Sequence, residues 1–340
     1  MSTPERIVLG VGDQGVWDEA LATLPGGDAS HDWRWGEVLR SAYGWKPHRA
    51  LWRAEGRWLG ALQAHSGPWP LSAQAVSSPF LTTGGLLVRE RGDAPALHVE
   101  VGRLAGDLGL RRIDCREADP ACADRGEFTF ELALTGREAL WKGFPSKLRS
   151  QIRKPQKDGY TVVAVDGPDL AFYPQFQRKM HEFGTPVHAA RLFSAWLPAM
   201  PGVCRQFVVR DPQGAVVGGM LMLLARGRAS IPFAVVHEPE RPSAANMLLY
   251  AEALGHACDA GCTVADFGRS QRDSGTFKFK GQWGGTAVPL VNRRCTPAGV
   301  EERGFGELRG GMAARFTALW PRLPRWCADR AGPRLRRYIP

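Results

Sequence analysis

The sequence predicts a duplicated α+β domain, and three observations predict it. The first is size and composition: 340 residues with 44% hydrophobic and 23% charged content suit one large or two ordinary globular domains with real cores. The second is a repeated hairpin, RAEGRWLG and RDPQGAVVG, each with Arg before the turn (Arg53, Arg210) and Gly in the returning strand (Gly60, Gly218). The third is a repeated strand entry, GLRRID and GCTVAD, each with Gly five residues before Asp (Gly109 and Asp114, Gly261 and Asp266). The pieces recur in the same order. Each copy therefore runs helix, antiparallel strands, helix, strand over about 150 residues, a length suited to a domain. The boundaries expected on this basis are 1–140, 141–300 and a basic aromatic tail at 301–340.

Residues 1–30 are rich in Gly and Asp and carry little pattern. Trp35, Val38, Leu39 and Ala42 then recur at helical spacing, with Ser30 or Asp32 as N-cap and Gly44 as the stop. ALWRAEGRWLGALQA reads as two strands around a tight turn at Glu55 and Gly56. SSPFLTTGGLLV reads as a loop feeding a strand, Pro95 to Leu108 as a helix, and RRIDC as the next strand. In the second copy, SKLRSQIRK predicts a helix from Ser146 that Pro155 ends or kinks. A helix from about Asp169 to Phe183 follows, with Phe172, Phe176 and Met180 as a core stripe. TPVHAARLFSAWL gives another helix. QFVVR, AVVGGMLMLL and SIPFAVV are three strands joined by DPQG and ARGR turns. Ala244 to Ala260 is a helix leading into a short strand that ends at Asp266.

The formal charge of +10 favours an anionic partner: nucleic acid, a phosphorylated precursor or an acidic membrane surface. Only eight of the 44 basic residues are Lys, which suits the forked recognition of phosphate. Seven Cys without a CxxC pair indicate neither a disulfide framework nor a zinc site. MSTPERIVLG lacks the basic start and apolar core of a signal peptide. The longest apolar run, Gly214 to Ala225, is well short of the roughly 20 residues a membrane-spanning helix needs. The chain reads as cytoplasmic, with peripheral contact at an inner membrane as its one membrane option.

Asp266 to Gly285, DFGRSQRDSGTFKFKGQWGG, holds the densest set of chemical signals. GRSQRDSG reads as an exposed loop and TFKFK as a strand, with Phe277 and Phe279 on one face and Lys278 and Lys280 on the other. Arg269, Arg272, Lys278 and Lys280 then form a receptor for phosphate or carboxylate oxygens, and the glycines around Trp283 permit close approach to the backbone. A basic surface hairpin with a core Trp accounts for the same residues. Asp266 is open to two roles, a proton acceptor or a strand-end cap of the Arg269 loop. On the helix at 146–154, Arg149, Arg153 and Lys154 are a candidate contact for carrier RNA or a solvated face. Asn246 and Tyr250 lie one helical turn apart as pocket or core residues.

With these motifs placed, the chain resembles the Fem-type (FemAB) aminoacyltransferases, closest to FemAB-related proteins associated with PEP-CTERM and exosortase systems. SKLRSQIRK, FGTPV at 183–187, NMLLY at 246–250, DFGRS, SGTFKFKGQWG and the tail LWPRLPRWCADRAGPRLRRYIP carry the resemblance. It implies tandem domains of the GNAT acyltransferase fold, with mixed, mostly antiparallel sheets flanked by helices. It also implies transfer of an amino acid from transfer RNA to an amine of a peptidoglycan or exopolysaccharide precursor, phosphorylated or lipid-linked, with neither metal nor tightly bound cofactor. Lys280 is then the catalytic cation that meets the oxyanion and Asp266 its weaker companion. Arg269, Arg272, Lys278, Asn246, Tyr250, Thr185 and Trp283 become substrate-binding residues. No segment sustains several heptads, which excludes an RNA contact through the coiled-coil arm some Fem proteins carry.

Two other readings use the same residues. An acyl-CoA-dependent N-acyltransferase on this fold is suggested by Arg89, Gly92 and Ala94, which fit the pyrophosphate-loop pattern of such enzymes. A nonenzymatic anion- or membrane-surface-binding protein is suggested by nine Arg against Glu307 and Asp329 from Arg303 to Pro340.

Overall fold

The computed structural model describes residues 4–165, 170–237, 244–305 and 316–340. Asp169, the expected start of a helix, and residues 306–315 of the expected tail, Glu307 among them, lie outside these. The chain forms two compact units, one of Met1–Glu127, Pro289–Leu308 and Tyr338–Pro340, the other of Phe128–Val288 and Arg309–Arg337.

The first unit opens with β1 (Glu5–Leu9), α1 (Gln14–Thr23) and α2 (Trp33–Tyr43). Asp32 caps α2 by accepting a bond from the Arg34 amide at 2.9 Å, and Gly44 closes it at φ 74°, a conformation glycine adopts without strain. β2 (Lys46–Ala54) and β3 (Arg57–Ser66) follow, joined through Glu55 and Gly56, both at positive φ. The unit continues with β4 (Gln74–Val76), β5 (Leu87–Val88), α3 (Ala94–Asp107) and β6 (Arg112–Ala118). β1, β2, β3 and β4 pair antiparallel in that order, and β4 then pairs parallel with β6. Alternation along β2 divides the core: Ala50 and Trp52 pack with Val101 and Leu104 of α3, whereas Leu51 packs with Trp17 and Leu21 of α1.

The second unit holds β7 (Glu127–Ala133), α4 (Arg137–Gly143), α5 (Ser146–Lys157), β8 (Thr161–Val165), α6 (Tyr173–Glu182) and α7 (Ala190–Ala199). Next come β9 (Cys204–Arg210), β10 (Val216–Ala225), β11 (Arg228–Val236), α8 (Ala245–Asp259), β12 (Val264–Asp266), β13 (Ser270–Gln271) and α9 (Gly275–Gly281). β8, β9, β10 and β11 pair antiparallel, β11 pairs parallel with β12, and β7 closes on β12 antiparallel. One face of this sheet packs Phe207, Met220, Met222 and Ile231 against Leu148 and Ile152 of α5 and Leu249 and Leu254 of α8. Phe172, Phe176, Phe193 and Phe233 meet edge to face in a second cluster built around α6 and α7. β14 (Thr286–Thr296) pairs through Leu290–Cys295 with β6, and β15 (Gly299–Arg303) pairs with β14, completing the sheet of the first unit.

The element order repeats: strand, two helices, antiparallel hairpin, third strand, helix, and a strand parallel to the third. The repeated hairpins also agree in register. Gly60 lies opposite Trp52 and Gly218 opposite Val209, each partner being the residue before the paired Arg, and the ladder shifts register at the same step in both. The units change over at 127/128 and 288/289 rather than at 140 and 300. Pairing is the reason: β7 belongs to β12, and β14 belongs to β6. Nor is 301–340 a separate tail, since α10 (Arg325–Arg336) packs on α6 in the second unit while Tyr338–Pro340 joins the first. α5 runs through Pro155 to Lys157; the missing N–H falls in its last turn, where the Pro155 carbonyl still accepts the Tyr160 amide at 2.9 Å.

Candidate active site

The segment that follows β12 is a helix where the alternation of TFKFK suggests a strand. Ser274 caps α9, its hydroxyl accepting the Phe277 amide at 3.1 Å and donating to the Gln271 carbonyl at 2.7 Å. Helical rotation of about 100° per residue then separates the two phenylalanines. Phe277 lies edge-on to Phe128 and Phe130, Phe279 against Tyr250 and Trp283. Lys278 is exposed, and Lys280, one turn beyond Phe277, turns inward and is buried.

Lys280 Nζ donates to the carbonyls of Gly268 at 2.7 Å and Arg269 at 2.8 Å. The turn that presents these carbonyls is set by Asp266. Asp266 Oδ1 accepts the Gly268 amide at 2.7 Å, and Gly268 itself sits at φ 72°, left-handed backbone that favours glycine. Burial pulls the Lys280 pKa down to about 7; Asp266 works against that shift and Arg269 adds to it. The ammonium has three N–H donors, two of them committed to carbonyls.

Asp266 is buried and takes three hydrogen bonds. Besides the Gly268 amide it accepts the Thr129 hydroxyl, and its Oδ2 takes the Arg228 guanidinium at 2.9 Å. Burial alone would lower the Arg228 pKa, but Asp266 and Glu131 carry it above the usual arginine value. A carboxylate so engaged does the work of a strand-end cap, one of the two roles open in the sequence, and with two donors on Oδ1 and one on Oδ2 it keeps a single acceptor site of about four.

Tyr250 stacks on Phe267 at 5.7 Å and lies 5.9 Å from Trp283, so the NMLLY tyrosine belongs to the aromatic wall around α9; burial raises its pKa. Trp283 Nε1 and Ser270 Oγ are buried here with no hydrogen-bond partner among the described residues. Ser270 flanks the Arg269 carbonyl that holds Lys280, and with no His near it in the sequence it carries no signal of a nucleophile.

The remaining candidates divide. Asn246 is half-buried in the first turn of α8, within the segment that contains Tyr250. Arg269 and Arg272 are exposed, with Arg272 over the Phe128 ring at 4.7 Å. Thr185 is half-buried just past α6, its hydroxyl 3.5 Å from the Phe183 carbonyl. The basic residues of α5 are tied locally: Arg149 bonds the Lys142 carbonyl, Arg153 lies over Trp141, and Lys154 pairs with Asp158. Arg89, Gly92 and Ala94 fall at the entry of α3, and two of the five N–H donors of Arg89 go to the Trp58 carbonyl and the Thr23 hydroxyl.

Residues 143–281 match the acetyltransferase (GNAT) domain family. The matched segment ends on α9 and so contains Asp266 and Lys280. Among solved structures, the chain is similar to FemX, at 14% identity over 85% of this chain and 96% of that one, with a TM-score of 0.66. It is also similar to a tandem GNAT protein from the clavulanic acid biosynthesis pathway, at 16% identity over 86% and 99% of the two chains, TM-score 0.53. A third is the C-terminal domain of a putative lysylphosphatidylglycerol synthetase from Agrobacterium fabrum, at 14% identity over 89% and 95%, TM-score 0.51. Curated proteins compared by sequence give no match. The fold is GNAT-like, of the α+β class, and its neighbours include a tandem GNAT protein.

Proposed function

We propose that the chain is an N-acyltransferase that moves an aminoacyl group from an activated ester to an amine of a cell-wall or exopolysaccharide precursor. The observation that carries this reading is Lys280: a lysine buried within the segment matched to the GNAT family and fixed on two backbone carbonyls, its pKa pulled down to about 7 by burial. In aminolysis the neutral amine attacks the carbonyl carbon and a C–N bond forms. The carbonyl oxygen becomes an oxyanion, and the ester C–O bond then breaks as the amine proton is lost. The third N–H of Lys280 is the donor for that oxyanion, held in place by the two carbonyls so that no reorganisation is needed during reaction. Asp266 sets the turn that holds Lys280, and proton transfer falls to the leaving oxygen or to water.

The likeness to FemX supports an aminoacyl donor and a peptidoglycan-type acceptor, and the likeness to the putative lysylphosphatidylglycerol synthetase supports a lipid-linked one. Carriage of the donor on transfer RNA and a setting in a PEP-CTERM or exosortase system rest on the motif resemblance. The family match equally favours acyl-CoA as donor, in which case a C–S bond breaks instead. Purified protein supplied with labelled aminoacyl-RNA or labelled acyl-CoA and an amine-bearing precursor separates these donors. Product from the first supports the Fem-type reading, product from the second the acyl-CoA reading, and product from neither overturns both.

A further inference from the structure

We propose that the second unit carries a membrane-contact face, made of Phe183, Leu319, Leu323 and Trp326 with Arg322 and Arg325 among them, that rests on an anionic phospholipid bilayer. Four large apolar side chains face solvent here: Trp326 is 73% exposed, Leu319 57%, Phe183 53% and Leu323 40%. Single exposed apolar residues are ordinary on a protein surface, whereas a contiguous group of this size marks an interaction site.

They are brought together by the turn after α6. The Leu323 carbonyl meets His181 Nε2 at 3.1 Å, and Gly184 lies so close to Thr317 that a Cβ would come within 2.2 Å of its carbonyl oxygen. Residues 317 and 323 therefore both rest against the turn that contains Phe183. The segment is pinned from beneath by buried Trp320 and Ala328, which leaves Leu319, Leu323 and Trp326 outward.

Charge selects the occupant. From Phe316 to Pro340 there are six Arg and a single acidic residue, Asp329. Arg322, Arg325 and Arg330 are exposed, Arg325 standing 3.9 Å from Asp329, and Lys179 lies over the Phe183 ring at 5.2 Å while pairing with Glu182 at 3.0 Å, so the excess charge of the face comes from its arginines. A second copy docked on this face would set like charges together, and single-stranded RNA prefers planar stacking platforms over Leu319 and Leu323. Trp, Leu and Arg on one surface match the headgroup level of a bilayer, where the apolar tips enter and the guanidinium groups stay with phosphate. No helix among the described residues is long and apolar enough to cross a membrane, so the contact is superficial.

The test is flotation of the whole chain with phosphatidylcholine vesicles, with and without phosphatidylglycerol, in low and raised salt. Expected are binding to the anionic vesicles that salt weakens, and a loss of about fivefold for each arginine neutralised in Arg322→Gln and Arg325→Gln. A Leu319→Ser, Trp326→Ser double variant should lose binding even at low salt. All four residues are exposed, so thermal melting and acyl transfer to a water-soluble acceptor should not change, which keeps this proposal separable from the transfer reading. Equal binding by the variants, no binding to either vesicle, dimerisation abolished by Trp326→Ser, or RNA binding in place of vesicle binding would each overturn it.

Discussion

The two units place a buried aspartate at the same point of the same topology and use it differently. In each, a short strand runs parallel to the third strand, and the third paired residue is Asp: Asp114 opposite Val76, and Asp266 opposite Ser230. Asp114 accepts Arg112 at 3.0 Å, Arg294 at 3.1 Å and Asn292 at 3.4 Å, and its work ends in holding its own sheet together. Asp266 accepts Arg228, Thr129 and the Gly268 amide, and so shapes a turn whose carbonyls hold a buried lysine. The aspartate is thus a property of the fold, whereas the lysine is a property of one unit. A buried charge that recurs in both copies is architectural, and the group without a counterpart at Asp114 is where the proposed chemistry would sit.

The sharpest way to break this comparison is Lys280→Ala, which removes the proposed oxyanion donor and is expected to cut turnover by about 100- to 1000-fold. Turnover at the wild-type level would detach Lys280 from the reaction. Since the ammonium is the working form, the logarithm of turnover at saturating substrate should fall as pH rises through about 7. A rise through the same point would make Lys280 a base instead.

Asp114→Asn and Asp266→Asn should each cost about 2 kcal/mol in urea unfolding, because half-buried arginines lose a buried counter-charge. Only Asp266→Asn should also move the pH inflection of turnover to lower pH, since Asp266 holds the Lys280 pKa up. An equal shift in Asp114→Asn would refute the division of roles.

Stability offers a third reading of the same lysine. Its folded pKa of about 7 lies below the unfolded value of roughly 10.4, so between those limits the unfolded chain binds more protons. Wild-type stability should gain from this group as pH rises from about 7 to about 10, a gain that Lys280→Met removes. Parallel pH profiles for the two proteins would contradict the burial on which the site depends. The smallest effect compares the matched glycines. A Cβ at Gly218 meets the Val235 carbonyl at 2.2 Å, whereas at Gly60 it meets the end of the Leu97 side chain at 2.8 Å and the Leu87 carbonyl only at 3.0 Å. Gly218→Ala should cost about 3 kcal/mol and Gly60→Ala about 1 kcal/mol in thermal unfolding.

Much of this was legible from local chemistry. Asp32 and Gly44 bound α2, Glu55 and Gly56 make the first hairpin turn, and the Gly-to-Asp spacing of the two strand entries finds the two aspartates. What was not legible depended on distant partners or on competing periods. β7, β8 and β14 have no turn signature that assigns them to a sheet, and their places follow from pairing with strands far away in sequence. In α9, five alternating residues fit a strand as well as a helix, and the deciding signal was the Ser274 cap. The burial of Lys280 could not be read at all, because its partners are backbone carbonyls that only the Asp266 turn orients.

The threading of the chain constrains how the protein is made. The first unit needs β14, which the ribosome delivers only after the whole of 128–288 has emerged. Until then β6 lacks its partner and offers an open sheet edge, a ready template for pairing with another nascent chain. Maturation of the earlier-synthesised half therefore waits on the later one, and cutting the gene between the two would yield a fragment prone to aggregate.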